Sequence, residues 1–209
     1  MTERAARTYR GLAPEERRAE RRERLLDAAM ELFARDGYHA TRIERLCTQA
    51  GVSTRNFYEE FDNKEAVLLA LHNQINTEAL AEVDATLADV PDDVIARIEA
   101  ILTAILRNIT ADPRKARVAY VEAAGTSPAV EAQHREWVLR WTALIEREAE
   151  RAVQAGLAPP GDYHTLGIAL TGAATELLRQ WQAQPEPGSP APIAEALRRL
   201  VFGGFLTQR

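Results

Sequence analysis

Residues 46–58 read Leu46-Cys47-Thr48-Gln49-Ala50-Gly51-Val52-Ser53-Thr54-Arg55-Asn56-Phe57-Tyr58, and how this stretch folds decides how the rest of the chain is read. Leu46, Cys47 and Ala50 put small or apolar side chains on one face of a helix. Gly51 adopts positive φ without a steric penalty and ends that helix, and the Ser53 hydroxyl is suited to cap the next. Val52 and Phe57 restore the apolar face after the turn, whereas Thr54, Arg55, Asn56 and Tyr58 are polar and point outward. Two short helices joined by a three-residue glycine turn have helix-turn-helix geometry. The first helix crosses the second so that the second can lie in the major groove of DNA.

Working outward, Leu25, Ala28, Ala29, Leu32 and Phe33 recur at i, i+3, i+4, i+7 and i+8. They predict a helix from Pro14 that stops at Gly37. Thr41-Arg42-Ile43-Glu44 reads as a capping box opening a helix over 41–50, and the helix after the turn runs over 54–61. Asp62-x-x-Glu65 predicts the start of a long helix to about residue 89. Beyond Pro91 the pattern predicts five more helices, near 92–110, 113–124, 129–155, 162–184 and 192–207, with Pro- and Gly-rich breaks between them. The expected fold class is all-α with about nine helices: an N-terminal three-helix head and a helical C-terminal body.

Composition agrees. Ala (37), Arg (24), Leu (22) and Glu (22) make up 105 of the 209 residues, and all four are good helix formers. With 46% hydrophobic and 27% charged residues the chain is ordinary for a globular protein, which sets aside disordered, collagenous and channel-forming classes. The single cysteine, Cys47, excludes an internal disulfide and a multi-thiolate metal site, and reads as a small buried hydrophobe. Residues 1–24 carry eight arginines and five glutamates with no apolar run behind them, so no secretory signal is read and the expected location is the cytoplasm. The net charge of -5 divides unevenly. Residues 1–64 hold 13 Lys+Arg against 12 Asp+Glu, while residues 65–209 hold 13 against 19. The acidic total belongs to the body and does not argue against a nucleic-acid partner for the head.

The stretch from Leu46 to Glu65 closely resembles the N-terminal domain of TetR-family transcriptional repressors. The match lies in the Ala50-Gly51-Val52-Ser53 turn, the Tyr58 and Phe61 pair, and Lys64-Glu65. Upstream, Leu32-Phe33-x4-Tyr38-x2-Thr41 resembles the same family. The resemblance covers about residues 20–70, and beyond it only helix count and order match. Cys47 departs from the alanine more usual at its position and suits the same tight packing. Residues 1–13 are basic and lack hydrophobic periodicity, so they read as a flexible arm; the resemblance implies a DNA-binding domain (14–64) and an effector-binding and dimerisation domain (65–209). It places Thr41, Tyr58 and Lys64 against phosphates, and Ser53, Thr54, Arg55 and Asn56 at the groove. Arg55 suits guanine O6/N7 and Asn56 suits adenine N6/N7. Arg4, Arg7 and Arg10 of the arm are suited either to an adjacent minor groove or to wrapping a phosphate track. It further implies a homodimer paired through the last two helices on double-stranded operator DNA, released by a small-molecule effector, with no cofactor. Dimer candidates on those helices are Leu170, Ala173, Leu177, Trp181, Leu197 and Val201. Burial against the other helices of the body accounts for the same residues equally well.

In the body, Trp137 and Trp141 lie one turn apart near His134, and Tyr120 and Glu122 offer polar anchors. The set reads either as core packing or as the wall of an effector pocket. The rival function is a helical enzyme or metal-carboxylate bundle. Glu131-x-x-His134 has the spacing that such bundles use, but His39, His72 and His164 lack a glutamate three residues before them. No convergent catalytic or metal-binding set is found, so a regulator is expected and not an enzyme.

Overall fold

The computed structural model describes residues 13–184 and 188–204, which are helical with no strand among the described residues. The chain divides into two compact units, residues 1–71 and 72–209.

In the first unit, α1 (Pro14–Asp36) buries Leu25, Ala28, Ala29, Leu32 and Phe33, the stripe read from the sequence. The basic arm lies outside the described residues except for Ala13, whose backbone N–H donates to the Glu16 carboxylate at 2.7 Å. α2 (Ile43–Ala50) buries Leu46, Cys47 and Ala50 and ends at Gly51, where φ is 62°. α3 (Thr54–Glu60) is capped by Ser53, whose Oγ accepts the Asn56 N–H at 3.2 Å. The three helices pack on one another, and α4 (Lys64–Ala88) follows.

Two caps differ from expectation. Thr41 does not cap α2: its hydroxyl donates to the Gly37 carbonyl at 2.8 Å and the residue is buried, so the helix starts two residues later, at Ile43. α4 is capped by Asn63, whose Oδ1 accepts the Ala66 N–H at 2.8 Å, and not by Asp62. In both places a neighbouring polar group reaches the orphan amide or carbonyl first.

The second unit contains most of α4 together with α5 (Val94–Ala111), α6 (Pro113–Ala116), α7 (Pro128–Gln154), α8 (Tyr163–Gln182) and α9 (Ala191–Gly204). Asp93, Asp112, Ser127 and Asp162 cap α5 to α8 with their side chains. The single helix expected over 113–124 is instead the one-turn α6 continued by a π-helical segment, Arg117–Glu122, in which the Ala123 N–H reaches back to the Val118 carbonyl at 3.0 Å. The predicted end of the last helix, 205–207, lies outside the described residues. Ile109, Ala116, Leu178, Trp181, Ile193 and Leu197 form one buried cluster, and Val83, Leu87, Ala104 and Leu144 another. α7 packs closely on α8 at Gly167, where a Cβ would stand 2.9 Å from Thr142 Cγ2.

Candidate functional site

The first unit presents α3 by one face and holds it by the other. Thr54, Arg55 and Tyr58 are exposed and Asn56 is half-buried, while Phe57 and Glu60 are buried. Exposure of the Arg55 side chain reaches 90%, and its guanidinium lies 3.7 Å from Glu59. Sequence reasoning passed over Glu60. Its side chain is 1% exposed and accepts from Arg18 Nε at 3.0 Å and Arg21 Nη2 at 2.9 Å. The Glu60 carbonyl takes Arg22 Nη1 at 3.1 Å and the Glu59 carbonyl takes Arg18 Nη2 at 3.2 Å. Charge-assisted bonds of this kind are the strong ones, and here they fasten the C-terminal end of α3 to α1. The signal was present: Arg18, Arg21 and Arg22 stand at i, i+3 and i+4 on one face of α1.

Thr41 and Lys64 meet. Lys64 Nζ donates to the carbonyls of Tyr38 at 2.7 Å, Thr41 at 2.8 Å and His39 at 3.4 Å, and sits 4.3 Å from the centroid of the Tyr38 ring. Burial lowers the pKa of this ammonium. Lys64 therefore ties the first turn of α4 to the 38–41 turn, a task the sequence did not announce. Cys47 is buried, and burial pushes its thiol above the ordinary range, which opposes thiolate chemistry.

The second unit encloses a cavity of about 160 Å³, lined mainly by apolar side chains of α5, α7, α8 and α9. Tyr120, His134, Trp137 and Trp141 line it, but Glu122 does not; its carboxylate is engaged by Arg117 at 2.8 Å. Leu170, Leu197 and Val201 line the same cavity. Trp181 is buried in the adjoining core with its indole N–H on the Gly188 carbonyl, and Ala173 and Leu177 are half-buried. Among the large apolar residues of α8 and α9, Ile168 and Leu200 are exposed.

α4 contributes two lining residues that the sequence reading did not single out, His72 and Asn76, both buried and one turn apart. Their signal was polar side chains beside the buried apolar positions Leu71, Ile75 and Ala79. Asn76 accepts the Trp141 indole N–H at 3.2 Å and donates to the His72 carbonyl at 3.0 Å. The His72 and His134 ring centroids are 6.2 Å apart. Burial, with His134 adding to it, pushes the His72 pKa down to about 4, and burial pushes the Tyr120 hydroxyl up to about 12. Glu148 receives both Arg97 Nε and Nη2 at 2.8 Å. Among the described residues no three His, Cys, Asp or Glu side chains group to hold a metal ion, and no helix is long and apolar enough to cross a membrane.

Residues 25–71 match the family described as bacterial regulatory proteins, tetR family. The chain is 38% identical over 50 residues to the fatty acid metabolism regulator protein of Bacillus subtilis (strain 168), a stretch covering 24% of this chain and 26% of that one. It thus spans about a quarter of the length of that curated relative. Over nearly the whole chain it shares the fold of the fatty acid degradation regulator FadR from Bacillus halodurans, with TM-score 0.80, 18% identity, and 93% of this chain and 97% of that chain covered. FadR from Bacillus subtilis, solved in complex with stearoyl-CoA, has TM-score 0.78 and 17% identity over 88% of this chain and 98% of that one. The match to the tetR family of bacterial regulatory proteins is thus carried by residues 25–71, and over the rest of the chain the likeness is one of fold.

Proposed function

We propose that the chain is a homodimeric, cytoplasmic transcriptional repressor that binds a pseudo-palindromic operator and is released by a small apolar effector. It acts by binding and not by catalysis. The observation that carries the reading is α3, whose buried Phe57 and Glu60 leave Thr54, Arg55, Asn56 and Tyr58 for the groove. The effector arm is supported by the apolar cavity and by the stearoyl-CoA complex of the Bacillus subtilis FadR. Ile168 and Leu200, exposed on α8 and α9, support pairing of those helices with a second copy. An effector that binds more tightly to a conformer unsuited to DNA shifts the population toward it, and its differential affinity sets the extent of release.

Selection of bound sequences from a random DNA pool tests the proposal. A two-fold symmetric consensus with half-sites about 10 base pairs apart, or a multiple of that, is expected. Enrichment of no consensus at moderate salt overturns it.

A further inference from the structure

Several of the polar groups around the cavity are spent on one another or on the backbone. Asn76 is bonded through both ends of its amide, Trp141 gives its indole N–H to that amide, and Thr171 donates to the Gly167 carbonyl at 2.9 Å. Glu148 is held by two bonds from Arg97. His72 differs from these: it is 2% exposed and lines the cavity, with Nδ1 buried and without a hydrogen-bond partner. A residue serving only to fill this position would be apolar, because a buried ring nitrogen left unpaired is destabilising.

Resting on the effector reading above, we propose that the cavity takes an uncharged apolar molecule bearing a hydroxyl group, and that His72 receives that hydroxyl. A hydroxyl both donates and accepts, so it satisfies the ring nitrogen in either imidazole tautomer. An ionised group finds no compensation there. The Glu148 carboxylate is already neutralised by Arg97, which leaves neither charge for a ligand ammonium or carboxylate. Burial, with His134 beside it, opposes a proton on His72, so His72 does not present a ready cation. The apolar walls supplied by α5, α7 and α8 take the remainder of the molecule.

The test titrates 1-octanol, octanoate and octylamine into the full chain, read by calorimetry and by the fluorescence of Trp137 and Trp141. Saturable binding of 1-octanol about tenfold or more tighter than either ion is expected. His72→Leu should weaken 1-octanol about tenfold, and His72→Gln, which keeps a hydrogen-bonding group, should recover most of the loss. Preference for octanoate or octylamine overturns the proposal, as does equal 1-octanol affinity in the wild type and His72→Leu. Absence of binding by all three probes in protein that still binds its selected operator overturns the ligand class and leaves the DNA reading standing. Binding of 1-octanol with no change in operator affinity does the reverse: the ligand class stands and the release mechanism fails.

Discussion

Arg55 and Glu60 sit five residues apart on α3 and are assigned opposite tasks, one reading and one holding. Arg55→Ala and Asn56→Ala should each cost about 1–3 kcal/mol against the selected operator and relax preference at particular base pairs, measured on a panel of single-base operator variants. Glu60→Gln keeps the shape but removes the charge that Arg18 and Arg21 converge on. It should cost about 1.5–3 kcal/mol of stability in urea unfolding. Operator affinity should fall alike for all sequences, because a loosened α3 misplaces every base contact at once. A change of base preference in Glu60→Gln, with stability intact, would contradict the holding role.

At the scale of elements, the helices were legible because apolar residues at 3.6-residue spacing mark burial whatever the packing partner. Leu25 to Phe33 on α1 is the plainest case. The caps were less legible: Thr41 and Asp62 are good capping residues, and only the folded turn decides that Gly37 takes one hydroxyl and that Asn63 lies nearer the orphan amide. The π-helical Arg117–Glu122 had no signal, since nothing in Arg-Val-Ala-Tyr-Val-Glu distinguishes a wide turn from an α-helical one. Long-range partners were the least visible. Glu60 needs arginines about 40 positions away, and His72 acquires meaning only when α7 brings His134 beside it. The α7–α8 contact gives a direct test of close approach. Gly167→Ala puts a Cβ against Thr142 Cγ2 and should destabilise by about 1–3 kcal/mol. Adding Thr142→Ser, which removes that methyl group, should recover most of the loss in a double-mutant cycle read by urea midpoint.

For the whole molecule, stability carries the mark of one buried imidazole. In the unfolded chain His72 takes up a proton as the pH falls through 6.5, but in the folded protein only at about 4, so unfolding binds a proton between those values. Its contribution is fully present above 6.5 and is lost as the pH drops toward 4, by about 3 kcal/mol at most. Urea midpoints near pH 7 and pH 5 should therefore differ less in His72→Leu than in the wild type; an identical difference in the two proteins would count against the buried-neutral assignment. Charge on the head behaves otherwise. The chain has two lysines, and both are engaged: Lys64 by three carbonyls, and Lys115 by Glu78 at 2.8 Å. All other positive side chains of residues 1–64, histidines aside, are arginines, whose guanidinium groups keep their proton across any pH at which proteins fold. Amine-directed cross-linkers and acetyl donors should consequently leave both lysines largely unlabelled in the folded protein. Chemical mapping of the DNA-facing surface calls for guanidine-directed reagents, and acetylation of lysine is poorly placed as a means of switching this head off.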